Sequence, residues 1–248
     1  MNSIDWRQLH HRLVHALRPT QNAVAIKFIR DEEALHAIPG ARFFSKPGMV
    51  CQAIGISAHY DVTAAIRSQD FAMNYCGACN GCQPQDAAWQ SGETLAKHPF
   101  KWFRDEQASA AHIQAMQAGC PSDDHIAVVT SPLAKGDIPA PDVVSLQLLP
   151  GAAFHLLSGL IEKDYRKLEF PFIGESSCAD TWGYTYNTGK PGLSLGCRGD
   201  RSAGALASHE VCLTLVPADL VKALDGIDRL AQDSITYPYY PNSILLDF

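Results

Sequence analysis

The chain has 248 residues, 46% of them hydrophobic and 19% charged, and carries a net charge of −6. Such a composition is ordinary for a globular protein, long enough to bury a core without covalent staples. The acidic balance argues against nucleic acid or an acidic membrane as partner, since both call for a basic face. No run approaches the roughly 18–20 apolar residues of a bilayer span. The opening Met1-Asn2-Ser3-Ile4-Asp5-Trp6-Arg7 shows no basic segment leading into an apolar one, so a cytoplasmic location is expected. Eight cysteines in that compartment point to thiolate ligands or free thiols before disulfides.

Residues 3–17 predict an amphipathic helix, with Trp6, Leu9, Leu13 and Leu17 on one face and Ser3 as N-cap. Val24–Ile29 reads as a short buried strand, and Asp31–Ile38 as a brief helix stopped by Pro39-Gly40. Met49–Met73 is mostly apolar and is read as helical after Cys51. Residues 92–117 read as helical apart from a break at Pro99, and the Gly/Pro-rich stretch 135–141 as a loop within a hairpin.

The C-terminal half contains an internal echo. Val143–Leu149 and Pro150 precede a helix carrying Leu157 and Gly159; Val211–Val216 and Pro217 precede one carrying Leu224 and Gly226. Each proline suits the first turn of a helix, where its missing N–H has no partner to lose. With strand candidates at Ile126–Thr130 and Leu193–Gly196, this predicts a strand–strand–helix unit used twice. The expected fold is α+β, one domain over 1–248, with helices packed on a mixed sheet.

The most informative motif is Cys76-Gly77-Ala78-Cys79-Asn80-Gly81-Cys82, within a cysteine-rich segment at about 74–84. Bacterial ferredoxins supply three ligands to a cubane iron–sulfur cluster with this spacing. Position 86 is aspartate, which rules out a local fourth cysteine, so a remote one is expected: Cys120, followed by proline, or Cys51. Zinc is the weaker alternative, because zinc sites pair two separate knuckles and only one cysteine-dense segment is present.

A second constellation joins Ser176-Ser177-Cys178-Ala179-Asp180-Thr181 to the turn Cys197-Arg198-Gly199-Asp200-Arg201. Paired guanidinium forks suit a carboxylate or phosphate, so Arg198, Asp200 and Arg201 are candidate substrate-orienting residues. The competing reading is a turn braced by an internal Arg–Asp pair. Cys212 lies in an apolar run and reads as core. His11 and His15 read as a solvated face, His209-Glu210 gives a weak hint of acid–base work, and the tail 237–241 reads as an extended arm.

The strand Val24–Phe28, the segment Cys51-Gln52-Ala53-Ile54-Gly55, the stretch Ser176–Thr181 and the turn Cys197–Arg201 resemble those of the domain-of-unknown-function family 169. The resemblance runs over roughly residues 20 to 230. It brings no assigned activity. It implies a cofactor site at Cys51, Cys178 and Cys197, with the Cys76/Cys79/Cys82 triplet as an added feature.

The resulting expectation is one or two 4Fe-4S clusters. One would use Cys76, Cys79, Cys82 and Cys120; the other would use Cys51, Cys178 and Cys197, with an iron open to substrate. Exchanging Cys51 and Cys120 between the sets is equally compatible. The expected function is a redox or Lewis-acid enzyme acting on a small anionic substrate. The alternatives are an electron-transfer partner of a larger redox complex and a zinc-stabilised binding module. A homo-oligomer is compatible with all three.

Overall fold

The structure is a computed structural model that describes residues 4–98, 102–122 and 124–238. Its first helix, α1 (Trp6–Leu17), begins where Asp5 accepts a hydrogen bond from the Gln8 N–H at 3.0 Å, and it ends at Arg18 in the left-handed region. The N-cap is therefore Asp5. The expected cap, Ser3, lies outside the described residues, as do Pro99 and the tail beyond Pro238.

Seven strands follow in the chain: β1 (Val24–Ile29), β2 (Arg42–Phe43), β3 (Ala64–Arg67), β4 (Ala127–Pro132), β5 (Val143–Leu148), β6 (Gly192–Ser194) and β7 (Val211–Leu215). They form one mixed sheet in the order β2-β3-β4-β1-β5-β7-β6, with β2–β3 parallel and every other pair antiparallel. Among the helices, α2 (Glu32–His36) follows β1, α3 (Val50–Tyr60) precedes β3, and α4 (Asn74–Cys79), α5 (Ala87–Gln90), α6 (Glu93–Ala96) and α7 (Glu106–Met116) lie between β3 and β4. Then come α8 (Pro150–Ile161) after β5, α9 (Ser177–Asp180), α10 (Trp182–Thr188), α11 (Arg198–Ser202), and α12 (Pro217–Gln232) after β7. The fold is α+β.

Period-two alternation on β1 divides the core. Ala25 and Ile29 face a layer built by α1, α8 and α12, whereas Val24, Ile26 and Phe28 face α3 and Trp182. A third cluster, around Tyr75, Trp89, Ile113 and Met116, sits beside the second. Among the described residues no helix is long and apolar enough to cross a membrane.

The echo is half right. Both proline-started helices form, one after β5 and one after β7, and they pack against each other. The paired-strand part holds only for β6 and β7. The strand β1 lies between β4 and β5, so those two never pair, and 135–141 is a crossover rather than a hairpin loop. A strand contributed from early in the chain outcompeted the local pairing.

The two echoed glycines meet at the α8–α12 crossing. A Cβ on Gly226 would lie 2.0 Å from the Gly159 carbonyl oxygen, and one on Gly159 would lie 2.3 Å from the Ala223 oxygen. Neither obstacle is a flexible side chain, so the helices would have to separate. Gly226→Ala is expected to lower unfolding free energy by about 1–3 kcal/mol through overpacking, despite the gain of roughly 0.5–1 kcal/mol that alanine brings to an unconstrained helix. Urea unfolding of both proteins checks this; a stabilised variant contradicts the crossing.

Candidate functional site

Four segments distant in sequence bring Cys51, Cys76, Cys178 and Cys197 to the wall of one small cavity of about 40 Å³, partly open to solvent. Cys51 stands in the first turn of α3, Cys76 on α4, Cys178 on α9, and Cys197 at the N-cap of α11. Between the sulfurs the wall is largely apolar: Met49, Val50, Met73, Tyr75, Trp102 and Trp182. Glu175 and Asp200 also reach it, and among the described residues no lysine, arginine or histidine lines it.

Local sequence explains how each sulfur is placed. The start of α3 is fixed by Gln52, whose side-chain oxygen accepts from the Met49 N–H at 2.9 Å. Further along α3, a Cβ on Gly55 would lie 2.6 Å from the Gly204 carbonyl oxygen, so only glycine lets α3 and the end of the Cys197 turn approach this closely. Asn80 closes α4: its Nδ2 donates to the Cys76 carbonyl at 2.8 Å, and its Oδ1 accepts from the Trp182 indole N–H at 2.8 Å. The Ser177 hydroxyl accepts from the Cys197 N–H, which ties α9 to α11. At Gly199 a Cβ would stand 3.4 Å from the Cys197 sulfur and 3.9 Å from the Cys51 sulfur. The two thiols therefore look into the same space, which glycine leaves free.

Electrostatics in the cavity disfavour bare thiolates. Burial, followed by the nearby Asp200 carboxyl and the other cysteines, pushes the Cys51 thiol well above its ordinary value. Burial and the Cys178 and Cys197 thiols do the same to Cys76, and burial raises Cys197. A nucleophilic cysteine requires the opposite, a depressed pKa in an electropositive setting. Asp200 is itself buried and raised to about 6 by that burial, although Ser177 and the Cys197 N–H favour its charged form. Its Oδ2 has no hydrogen-bond partner.

The CxxCxxC triplet does not converge. Only Cys76 reaches the cavity; Cys79, one helical turn on, is buried in the third core cluster, against which Cys120 and Cys178 also pack. The chain then turns at Gly81 (φ +67°), and Cys82 packs in the second cluster with its thiol donating to the Asn80 carbonyl at 3.6 Å. Burial alone pushes Cys82 up to about 12. The expected set of Cys76, Cys79, Cys82 and Cys120 is thus split three ways, and Cys76 joins the expected set of Cys51, Cys178 and Cys197. Cys212 is core, as expected, with burial raising its thiol to about 12. Among the described residues no group of three or more His, Cys, Asp or Glu side chains is arranged to hold a single metal ion.

Residues 12–225 match the family described as "Uncharacterised ArCR", domain of unknown function 169. The chain belongs to this family. A relative in Methanocaldococcus jannaschii, "Uncharacterized protein MJ0308", is 26% identical over 131 residues, which is 52% of this chain and 55% of that protein. The chain thus matches little more than half of that relative's length. No solved structure matches this family member. All four cavity cysteines fall inside the span of the family match.

The two arginines do not face the thiol cavity. Arg201 spends its guanidinium on backbone carbonyls, those of Leu195, Ala207 (2.6 Å) and Glu210 (3.4 Å). Arg198 is exposed and pairs with Glu175 at 3.2 Å. The Arg–Asp brace expected as the competing reading does not form either, since carbonyls take the place of Asp200. His209 is exposed, and the buried Glu210 is occupied by Thr20, Gln21 and the Ala207 N–H, so neither serves the site. Both arginines instead line a second, more open cavity of about 680 Å³, together with His112, Glu175, Ser202 and Cys197. Cys197 and Glu175 border both spaces.

Several contributors gave no signal in the sequence. Asn80, Ser177 and Trp182 act through contacts across the fold. His112 was one of several scattered histidines, yet its Nε2 shares hydrogen bonds of 2.9 Å with both the Tyr75 hydroxyl and the Ser176 hydroxyl at the cavity edge. The adjacent glycines of the Cys197 turn were the one legible clue to a space kept open.

Burial lowers the His112 pKa from 6.5 to about 4. The unfolded chain therefore takes up a proton near pH 6.5 that the folded chain refuses until about pH 4. This group costs nothing above that window and destabilises the fold progressively as pH falls through it. His112→Gln is expected to flatten the acid-side loss of stability between these limits, measured as the difference between unfolding midpoints of variant and parent. An unchanged slope contradicts the buried, neutral ring.

Proposed function

We propose that this protein is an electron-transferring iron–sulfur protein, with one 4Fe-4S cluster held by Cys51, Cys76, Cys178 and Cys197. One observation carries the reading: four cysteines from four segments line a single apolar cavity, with no basic side chain on its wall among the described residues. Four thiolates there need cationic charge to offset them, and iron ions supply it. A cubane assigns one cysteine to each of four irons, so its ligands stand around a core rather than around a point. The four sulfurs here likewise stand around a shared space, reached from four separate segments. The same contrast weighs against structural zinc. Four protein ligands leave no iron for a substrate, which favours electron transfer over Lewis-acid chemistry. The apolar wall, with Trp182 and Met49, would limit water around the sulfurs and so tune the potential.

A second reading, a redox enzyme, is favoured by the larger cavity on the far side of Cys197, lined by His112 and Arg198. A molecule held there would sit one cysteine away from the cluster.

Purification without oxygen, followed by iron and sulfide analysis, is expected to give about four of each per chain and a brown protein. Serine at position 51, 76, 178 or 197 should each lower the iron content sharply, whereas Cys82→Ser should leave it intact. Colourless protein without acid-labile sulfide overturns the proposal, and loss of iron in Cys82→Ser with retention in Cys51→Ser overturns the ligand set.

A further inference from the structure

The second cavity, of about 680 Å³, holds two hydrogen-bonding groups that the fold leaves over. The first is the end of Arg198. Glu175 meets the Arg198 Nε at 3.2 Å with one carboxylate oxygen and accepts from its backbone N–H at 3.4 Å with the other. The side chain is thus held by its inner nitrogen, and among the described residues its two terminal nitrogens have no partner. Those two nitrogens form an edge of the guanidinium that matches both oxygens of a carboxylate.

The second group is His112. Its Nε2 lies 2.9 Å from the hydroxyls of Tyr75 and Ser176, and those hydroxyls also bond each other. If Nε2 accepts, one hydroxyl donates to it and the other donates to the first, so both protons are taken by nitrogen or oxygen. If Nε2 carried the proton, one of these buried hydroxyls would be left with only the Met116 sulfur, a weak acceptor. Hydrogen bonding therefore assigns the ring proton to Nδ1, which has no partner among the described residues. Both leftover groups are donors.

Arg201 adds charge rather than a free fork, because its guanidinium is pinned on the carbonyls of Leu195, Ala207 and Glu210. With His112 neutral, two arginines against the single carboxylate of Glu175 leave the lining one positive charge in excess. The rest of the wall is apolar where Ile173 and Phe103 stand, and the Phe103 ring packs on that of His112 with centroids 4.7 Å apart.

We propose that this cavity binds a small monocarboxylate with an apolar skeleton. Its carboxylate takes the terminal nitrogens of Arg198 and the Nδ1–H of His112, and its carbon skeleton lies against Phe103 and Ile173. Two donors call for an acceptor, and one excess positive charge suits a single negative one. Binding as such needs no iron; that the bound molecule is a substrate, one cysteine away from a cluster, rests on the redox-enzyme reading above.

Benzoate is the probe, titrated by ligand NMR into the full chain purified without oxygen, with iron measured on the same sample. One benzoate per chain is expected, held about tenfold or more tightly than benzamide, which keeps the ring and lacks the charge. Arg198→Gln, at an exposed position, should weaken benzoate by about tenfold or more, the size of a lost charge-assisted hydrogen bond. Arg166→Gln removes the same charge from another exposed position and should bind benzoate as the parent does. Four results overturn the proposal: no binding at millimolar benzoate, equal affinity for benzamide, equal weakening in the two arginine variants, or inorganic phosphate held more tightly than benzoate. Protein without iron that binds benzoate keeps this proposal and removes the cluster, whereas iron-loaded protein that ignores benzoate does the reverse.

Discussion

Negative charge in an apolar space is the constraint around which this molecule is organised. The Cys51, Cys76 and Cys197 thiols are held protonated by burial, and ionising one makes ionising the next harder, because the nearby groups are other sulfurs and the Asp200 carboxyl. Among the described residues no guanidinium or ammonium lines the space to relieve that repulsion. Protein atoms alone therefore give these cysteines little chemistry. A polycationic inorganic core turns the same repulsion into affinity, since each thiolate then faces positive charge at short range. The unpartnered Asp200 oxygen belongs to the same account: it is tolerated while protonated and becomes costly once charged.

Holding four distant sulfurs against that repulsion falls to the scaffold. The sheet supplies a rigid floor, and α3 docks on it through apolar contacts and through the Ser57 hydroxyl, which meets the Thr130 hydroxyl at 2.8 Å. Above the floor the segments are joined by specific polar links rather than by bulk packing. Asn80 bridges α4 to α10, Ser177 bridges α9 to the Cys197 turn, and the Asp180 carboxylate takes the Ile173 N–H at 3.0 Å and the Ser194 hydroxyl at 3.3 Å. Buried polar links of this kind specify geometry because leaving any of them unmade exposes a donor or acceptor to a medium that cannot satisfy it.

The sequence was most readable where the physics is local. The strand Val24–Ile29 was marked by its apolar run, α1 by leucines at helical spacing, and α8 and α12 by proline at the first turn. It misled wherever a partner arrived from far along the chain. The interposition of β1 between β4 and β5 leaves no trace in the residues 135–141 that connect them. The triplet spacing suggested three sulfurs turned onto one core, but spacing alone cannot show which way each faces. Cys76 borders both the second and third clusters, while one helical turn buries Cys79 within the third and the bend at Gly81 carries Cys82 into the second. Arg201 looked like an anion clamp because its sequence neighbours cannot show that three carbonyls await it. The family-like segments fared better, since Cys51, Cys178 and Cys197 do share a wall.

The spread of the four cavity cysteines along the polypeptide bears on how the protein is made. Two sulfurs leave the ribosome early, on α3 and α4, and the other two follow only after β5 and α8 have been synthesised. Nothing resembling a binding site exists on the nascent chain, and contacts of such long sequence separation form slowly. A cluster held as proposed would then be loaded late, on an already folded polypeptide, with the gap through which the cavity meets solvent as its way in.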